Sequence, residues 1–420
     1  MNPGPGPVGR MNGYALIATT LGAVAVSVLA VLLLSPGQGP PVPDGPAAAS
    51  VVAERFTPAE LSRADDYRSW GRLIGLGSLI VQLLVLALLV FRRGPVMLRL
   101  LAWLGRRPLV GAMLCGAGIS ILLSVADLPF DLAAWQLGRD FGLISQGLGS
   151  RLLDWAMAAA IALVPATLGA LIAMFLWLRL GKRFWIAAAG LVAIWAVVTT
   201  WLWPVVVSPV FNNFDSLREG SERTEVMRLA DRAGVEVGEV YVVDASRRSS
   251  TVNAYVNGIG SSKRVVIYDN AIRKLDQSEF RALVAHELGH VKDQDLWRGL
   301  AFAMLVIPLG ALFVQLGTVA CLRRRNDSPE GPAVIPALAL MATIAALVLQ
   351  IPGNVLSRSV EARADRTSIQ LTGDPQGLVD LQVRLARSNL SDVDPPAVWQ
   401  FLFGTHPSTL DRIAIAEGAR

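Results

Sequence analysis

Two of the three histidines in the chain stand four residues apart, in His286-Glu287-Leu288-Gly289-His290. On a helix, residues i and i+4 lie about 40° apart around the axis, so both imidazoles project from one face and can meet one metal ion. Imidazole is a borderline ligand that suits zinc. Glu287 points beside such an ion, where it can take a proton from a bound water whose pKa zinc lowers to about 7. Alone, the pattern also fits a solvated polar helix with incidental histidines. A third ligand stands downstream, where Ser357-Arg358 leads into Glu361-Ala362-Arg363-Ala364-Asp365. Glu361 offers a carboxylate oxygen, which completes two nitrogens and one oxygen and leaves a fourth position for water. Asp365, one turn on, can accept the second ring N–H of a ligand histidine and fix its tautomer. The competing reading pairs Glu361 with Arg358 or Arg363 on a wet helix surface. His406, just before a helix beginning after Pro407, either caps that helix or donates to the oxyanion formed when hydroxide attacks a peptide carbonyl.

The elements that must position these residues are unusually apolar. The 420 residues are 53% hydrophobic and 17% charged, with a mean hydropathy of +0.48. Counting the 38 glycines, about 62% is apolar, against roughly 45–50% in a soluble domain. Soluble-enzyme, disordered, collagen-like and disulfide-scaffold classes are excluded. The excess falls in seven runs: Tyr14–Leu34, Leu73–Phe91, Leu109–Val125, Leu153–Leu178, Trp185–Val207, Leu300–Leu322 and Ala333–Ile351. About 20 residues at 1.5 Å each cross a hydrocarbon core of about 30 Å, so the chain reads as a multi-pass protein of the lipid bilayer. The first run exceeds the apolar region of a signal peptide and is expected to be retained. Residues 1–13 are expected to be disordered, and Ser35–Ser50, rich in Pro, Gly and Ala, to be a linker continuing into a juxtamembrane segment up to residue 72.

The net charge of +5 is arginine beside apolar runs rather than a nucleic-acid footprint, and no nucleic-acid partner is expected. Arg92, Arg93, Arg99, Arg106 and Arg107 lie between runs two and three, Arg179, Lys182 and Arg183 between four and five, and Arg323–Arg325 between six and seven. The positive-inside rule makes these loops cytoplasmic and puts residues 208–298 and 352–420 on the opposite face. Lys is rare (Lys182, Lys263, Lys274 and Lys292), which points to a GC-rich, prokaryotic genome. Cys115 and Cys321 fit neither a metal spacing nor a disulfide framework.

Residues 208–298 read as a small α+β unit. Asp215 is expected to cap a helix through Ala233, closed by Gly234. Glu239–Asp244 alternates as a strand, and Val252–Val256 with Lys263–Tyr268 flank an Asn257-Gly258 turn, a hairpin signal. A helix from Gln277 into Asp293 carries the histidine pair, with Phe280, Leu283, Val284 and Leu288 at helical spacing. Beyond the seventh run, Ser357–Thr372, Pro375–Ser388 and Pro396–Phe403 read as helices.

On these motifs the sequence resembles the zinc-dependent type I CAAX prenyl endopeptidases and their bacterial relatives, including the heat-shock-induced membrane protease. The matching elements are His286–His290, the Ser-Arg-x-x-Glu-x-x-Ala-Asp pattern at Ser357–Asp365, the late His406-Pro407…Arg412, and Asn253-Ala254. The resemblance spans residues 60–415. It implies that His286, His290 and Glu361 bind one zinc ion per chain, that Glu287 is the catalytic acid/base, and that Asp365 and Arg412 surround the ligands. It places Asn253-Ala254 on an edge strand where substrate backbone docks by strand addition. The implied fold is mainly α, with seven membrane helices around a water-filled chamber and a small gluzincin-type metallopeptidase domain. The family site faces the cytoplasm, whereas the arginine count here puts it outside. The expected activity is a membrane-embedded zinc endopeptidase acting on a peptide or protein substrate. Two other readings are an intramembrane-cleaving zinc protease, disfavoured by Lys292, Asp293 and Asp295 crowding the motif, and a non-enzymatic transporter or scaffold with a relict fold.

Overall fold

A computed structural model describes residues 13–36, 46–258 and 263–419. The expected disordered N-terminus and most of the Ser35–Ser50 linker lie outside them. Among the described residues, six helical stretches are long and apolar enough to cross a membrane. They contain α1 (Gly13–Leu34), α3 (Pro58–Phe91), α5 (Pro108–Asp140), α6 with α7 (Leu148–Leu180 and Phe184–Leu202), α12 (Asp295–Arg325) and α13 (Val334–Thr372). The 53-residue stretch Leu148–Thr200 thus holds the fourth run and most of the fifth. A single 3-10 turn at Gly181–Arg183 separates them, beginning at Gly181 with a φ of 50°. Shorter α2 (Pro46–Arg55) precedes α3, and apolar α4 (Pro95–Leu104) lies inside the arginine-bearing loop between runs two and three.

The arginine-bearing turns after α3, α6 and α12 meet at one end of the bundle. Arg93 pairs with Asp327 at 2.8 Å, which ties the loop after α3 to the loop after α12. Trp177 donates its indole N–H to the Pro329 carbonyl, and Gln315 donates to the Gly181 and Lys182 carbonyls. The α+β unit sits at the opposite end, where the Ser145 amide donates to the Arg248 carbonyl.

That unit begins after α8 (Ser208–Phe211). Its strands β1 (Phe214–Ser216), β2 (Glu239–Val243), β3 (Ala254–Asn257) and β4 (Arg264–Tyr268) form one sheet in the order β1-β2-β4-β3, with only the central pair parallel. The expected hairpin is the antiparallel pair β3–β4. Asp215 does not cap a helix. It lies in β1, whose backbone pairs with β2, and the helix α9 (Ser221–Ala233) begins six residues later, after an N-cap at Gly220. Its C-terminus is closed by Gly234 at φ 69°, as the sequence indicated.

After the short α10 (Asp269–Lys274) comes α11 (Gln277–Lys292), then the membrane pair α12 and α13, followed by α14 (Pro375–Asn389), α15 (Ala397–Phe403) and α16 (Thr409–Glu417). One face of the sheet, with Val240, Val265 and Ile267, shares a core with α9, α11, α14 and α16. The helix expected over Ser357–Thr372 is not separate. It is the last third of α13, a single 39-residue helix that continues through Pro352 because it packs against α12 and then α11 along its length. The chain therefore leaves the bilayer and reaches the site without a joint.

Candidate metal centre

α11 starts with a reciprocal cap: Asp276 accepts the Glu279 N–H at 2.9 Å, and Glu279 accepts the Asp276 N–H at 2.9 Å. Phe280, Leu283, Val284 and Leu288 bury one face under the sheet, which leaves the histidine face to α13. Gly289 sets how closely the two helices approach. A Cβ there would meet the Thr367 Cβ at 3.2 Å and the Ala364 carbonyl at 3.4 Å. Three bonds hold the pair together: Arg363 to Asp293 at 2.6 Å, Thr367 to Asp293 at 3.0 Å, and Ser368 to the Ala282 carbonyl at 2.8 Å.

This packing makes His286, His290 and Glu361 converge, with one ligand atom from each lying within 4.8 Å of the others. His286 Nε2 is 3.3 Å from Glu361 Oε2, and His290 Nε2 is 3.6 Å from Oε1. The other nitrogen of each ring is already engaged. His286 Nδ1 lies 2.9 Å from Asp365 Oδ1, and His290 Nδ1 lies 3.0 Å from Asp295 Oδ2. Both rings thus aim Nε2 at the carboxylate. Glu361 Oε2 is buried and has no hydrogen-bond partner. Buried polar atoms are almost always satisfied, so two imidazole nitrogens and an unsatisfied carboxylate oxygen facing a common point are a donor set suited to a divalent metal.

Arg412 lays its guanidinium on fully buried Asp365 with contacts of 2.8 and 2.5 Å. It also stands 3.3 Å from His286 Nδ1. Burial disfavours the His286 cation, yet the facing carboxylates of Asp365 and Glu361 outweigh it and raise the ring to about 9. A proton therefore competes for the nitrogen a metal would take, and metal binding displaces it. Burial pushes the Glu287 carboxyl up from its ordinary range. Glu361 adds to that, while His286, His290 and Arg412 draw it back.

His406 is brought to the rim, with Nε2 3.3 Å from Glu361 Oε1 and Nδ1 2.9 Å from the Thr405 hydroxyl. The competing pairing of Glu361 with arginine does not form. Arg363 is taken by Asp293, and Arg358 donates to the Gln400 and Gly404 carbonyls, bracing the loop that carries His406. Ala254 opens β3 on the sheet under α11, and Asn253 precedes it with its side-chain oxygen accepting the Ala254 N–H at 3.0 Å. Neither bonds to the three converging residues. Sequence reasoning missed Asp295 as the partner of His290. It lies five residues on, beyond the end of α11, and reaches back because Gln294 takes a left-handed φ of 58°. The run of acids after the motif was the available signal.

A bundle of membrane helices carrying an HExxH helix under a sheet, with a glutamate delivered from a second helix, defines a membrane metallopeptidase. The comparisons agree. Residues 216–420 match the family model of peptidase family M48, and residues 45–213 match the CAAX prenyl protease N-terminal model, described as five membrane helices. The chain is 31% identical over 304 residues to the Bacillus subtilis (strain 168) protein named "Uncharacterized metalloprotease YhfN", with 71% of each covered. It is 29% identical over 328 residues to a CAAX prenyl protease 1 homolog of Oryza sativa subsp. japonica, with 72% of each covered. Among solved structures, S. mikatae Ste24p shares the fold at a TM-score of 0.76, with 19% identity over 97% of this chain and 100% of that one. The chain belongs to peptidase family M48. It is a membrane metalloprotease, a hydrolase acting on peptide bonds, and neither a relict scaffold or transporter nor an intramembrane-cleaving protease is favoured.

Removing the carboxylate behind either ring should loosen the site without removing a ligand. Asp365→Ala and Asp295→Ala are each expected to weaken metal binding about 10- to 100-fold. Competition with a chromophoric chelator measures this, and an unchanged affinity would show that the ring contacts are incidental.

Proposed function

We propose that the chain is a zinc endopeptidase of the prokaryotic plasma membrane, with His286, His290 and Glu361 holding one zinc ion and Glu287 as general acid/base. The observation that carries this reading is the convergence of two Nε2 atoms on the unsatisfied Glu361 carboxylate, each ring backed by an aspartate. Zinc, when bound, supplies a Lewis acid that polarises the scissile carbonyl and acidifies water. Glu287 follows His286 on the helix, and burial raises its carboxyl, so its basicity is brought closer to neutral pH. It takes the proton of the attacking water and returns it to the leaving amine. His406, steered by Thr405, donates from Nε2 to the oxyanion. Asp365 with Arg412, and Asp295, hold the ligand rings in register.

The substrate is a peptide or protein segment in extended form, docked on β3 through backbone groups. Ala254 and Val256 are the positions whose backbone faces away from β4. The arginine-bearing turns gather at the end of the bundle away from the site, which supports a cytoplasmic location for that end and an outward-facing catalytic end.

Glu287→Gln should abolish peptide hydrolysis while stoichiometric zinc remains bound, and His406→Ala should lower kcat by about 10²–10³. Elemental analysis and peptide assay of the same samples check both. Activity retained in the Glu287→Gln protein would remove the acid/base assignment. Val256→Pro spares the β4 ladder and deletes one outward N–H, so it should raise KM about tenfold while changing kcat little. An unchanged KM would remove β3 as the docking strand.

Orientation is checked by labelling whole cells with an impermeant maleimide. A cysteine at Glu219, near the catalytic end, is expected to react in intact cells, and one at Arg106 only after permeabilisation. The reverse pattern would place the catalytic end in the cytoplasm.

A further inference from the structure

β3 is an edge strand, paired with β4 on one side only. The Tyr268 amide donates to the Asn253 carbonyl at 3.1 Å. In an antiparallel ladder, Asn253, Tyr255 and Asn257 therefore spend their backbone groups on β4, while Val252, Ala254 and Val256 direct theirs to the free edge. Upstream, that edge is already filled. Asn389 Oδ1 accepts the Val252 N–H at 3.0 Å, and Asn389 Nδ2 donates to the Val252 carbonyl at 3.2 Å. One carboxamide thus makes both bonds that a residue of an added antiparallel strand would make. Beyond it, Ile144 bridges Ser249 in antiparallel fashion, and the Ser250 amide donates to the Leu143 carbonyl at 2.9 Å.

Asn389 is held in place from the membrane side. It is the last residue of α14, and Arg68 of α3 donates to its carbonyl at 2.9 Å and to that of Leu390 at 2.7 Å. Leu390 takes a left-handed φ of 46°, and Arg72 pairs with Asp392 at 2.7 Å. At Ala254, by contrast, the outward N–H meets the adjacent Asn253 side chain, which a docking strand can displace.

We propose that Asn389 is a specificity-determining residue. Its carboxamide ends the docking edge, so a substrate strand paired to Ala254 and Val256 stops there, and the enzyme favours peptides with only a short segment beyond the scissile bond on the side facing Asn389. This rests on β3 being the docking strand.

The test uses the full-length, zinc-loaded protein and two series of end-capped peptides around one cleavable core, lengthened either at the N-terminus or at the C-terminus. In the wild type, kcat/KM should fall at least about tenfold in one series past a fixed length, comparable to losing the two hydrogen bonds, and stay level in the other. Asn389→Ala should raise the long-to-short ratio in that series at least about fivefold. A merely structural role would change long and short peptides alike, and an unmoved ratio overturns the proposal. If Asn389→Ala does not fold, mapping wild-type cuts in a random peptide library by mass spectrometry decides: fragments of bounded length on one side support the stop, and unbounded lengths on both sides overturn it. The Val256→Pro variant keeps the failures apart. An unaltered KM there removes the docking strand itself, whereas a raised KM with an unmoved length ratio removes only the stop.

Discussion

The structure depends on keeping two imidazoles and a carboxylate face to face in a buried setting. A buried carboxylate is costly unless its charge is met, and a buried imidazole turns freely unless its second nitrogen is held. Here Asp365 and Asp295 hold the two rings, and Arg412 neutralises Asp365, so the charges alternate outward from the ligands. Glu361 Oε2 is buried among them without a hydrogen bond. The surrounding frame leaves the vacancy in hydrogen bonding where an ion's charge would fall.

Membrane helices are part of that frame. Glu361 and Asp365 lie on the last third of α13, and Asp295 is the first residue of α12. Arg298, 3.4 Å from Asp295, donates to the Leu34 carbonyl at the end of α1. The site is thus built from the ends of three spanning helices and one soluble helix. A shift of α12 relative to α13 would move Asp295 away from Asp365, and with it one ring relative to the other. The Gly289 contact with Thr367 makes the same point from the soluble side, because the ligands meet only where two helix backbones nearly touch. The proposed docking edge follows this pattern as well. Asn389 reaches Val252 from a helix end pinned by Arg68 on α3, so the bundle reaches into the strand geometry too.

The converging residues were legible because helical periodicity is local. His286 and His290 must share a face once the segment is a helix, and the same holds for Glu361 and Asp365. The apolar runs were legible because crossing hydrocarbon demands length and composition at once. Strand alternation gave the β3–β4 hairpin for the same local reason. Where local signals competed, they misled: Asp215 reads as a helix cap but is claimed by β2, and Ser357–Thr372 reads as a separate helix but continues α13.

What the sequence by itself determined, then, is the bilayer class and the metalloprotease class, since each is written in composition or in spacing along one helix. Tertiary structure alone decided which cation serves which carboxylate. Arg358 and Arg363 stand beside Glu361 in sequence yet serve a loop and Asp293, while Arg412, 47 residues from Asp365, completes the site. It also decided the Asp295 contact, through a left-handed turn at Gln294, and the Asn389 bond to a strand 137 residues away. The physical reason is that a polar partner is chosen by distance in space. Sequence spacing fixes that distance inside one element and leaves it open between two.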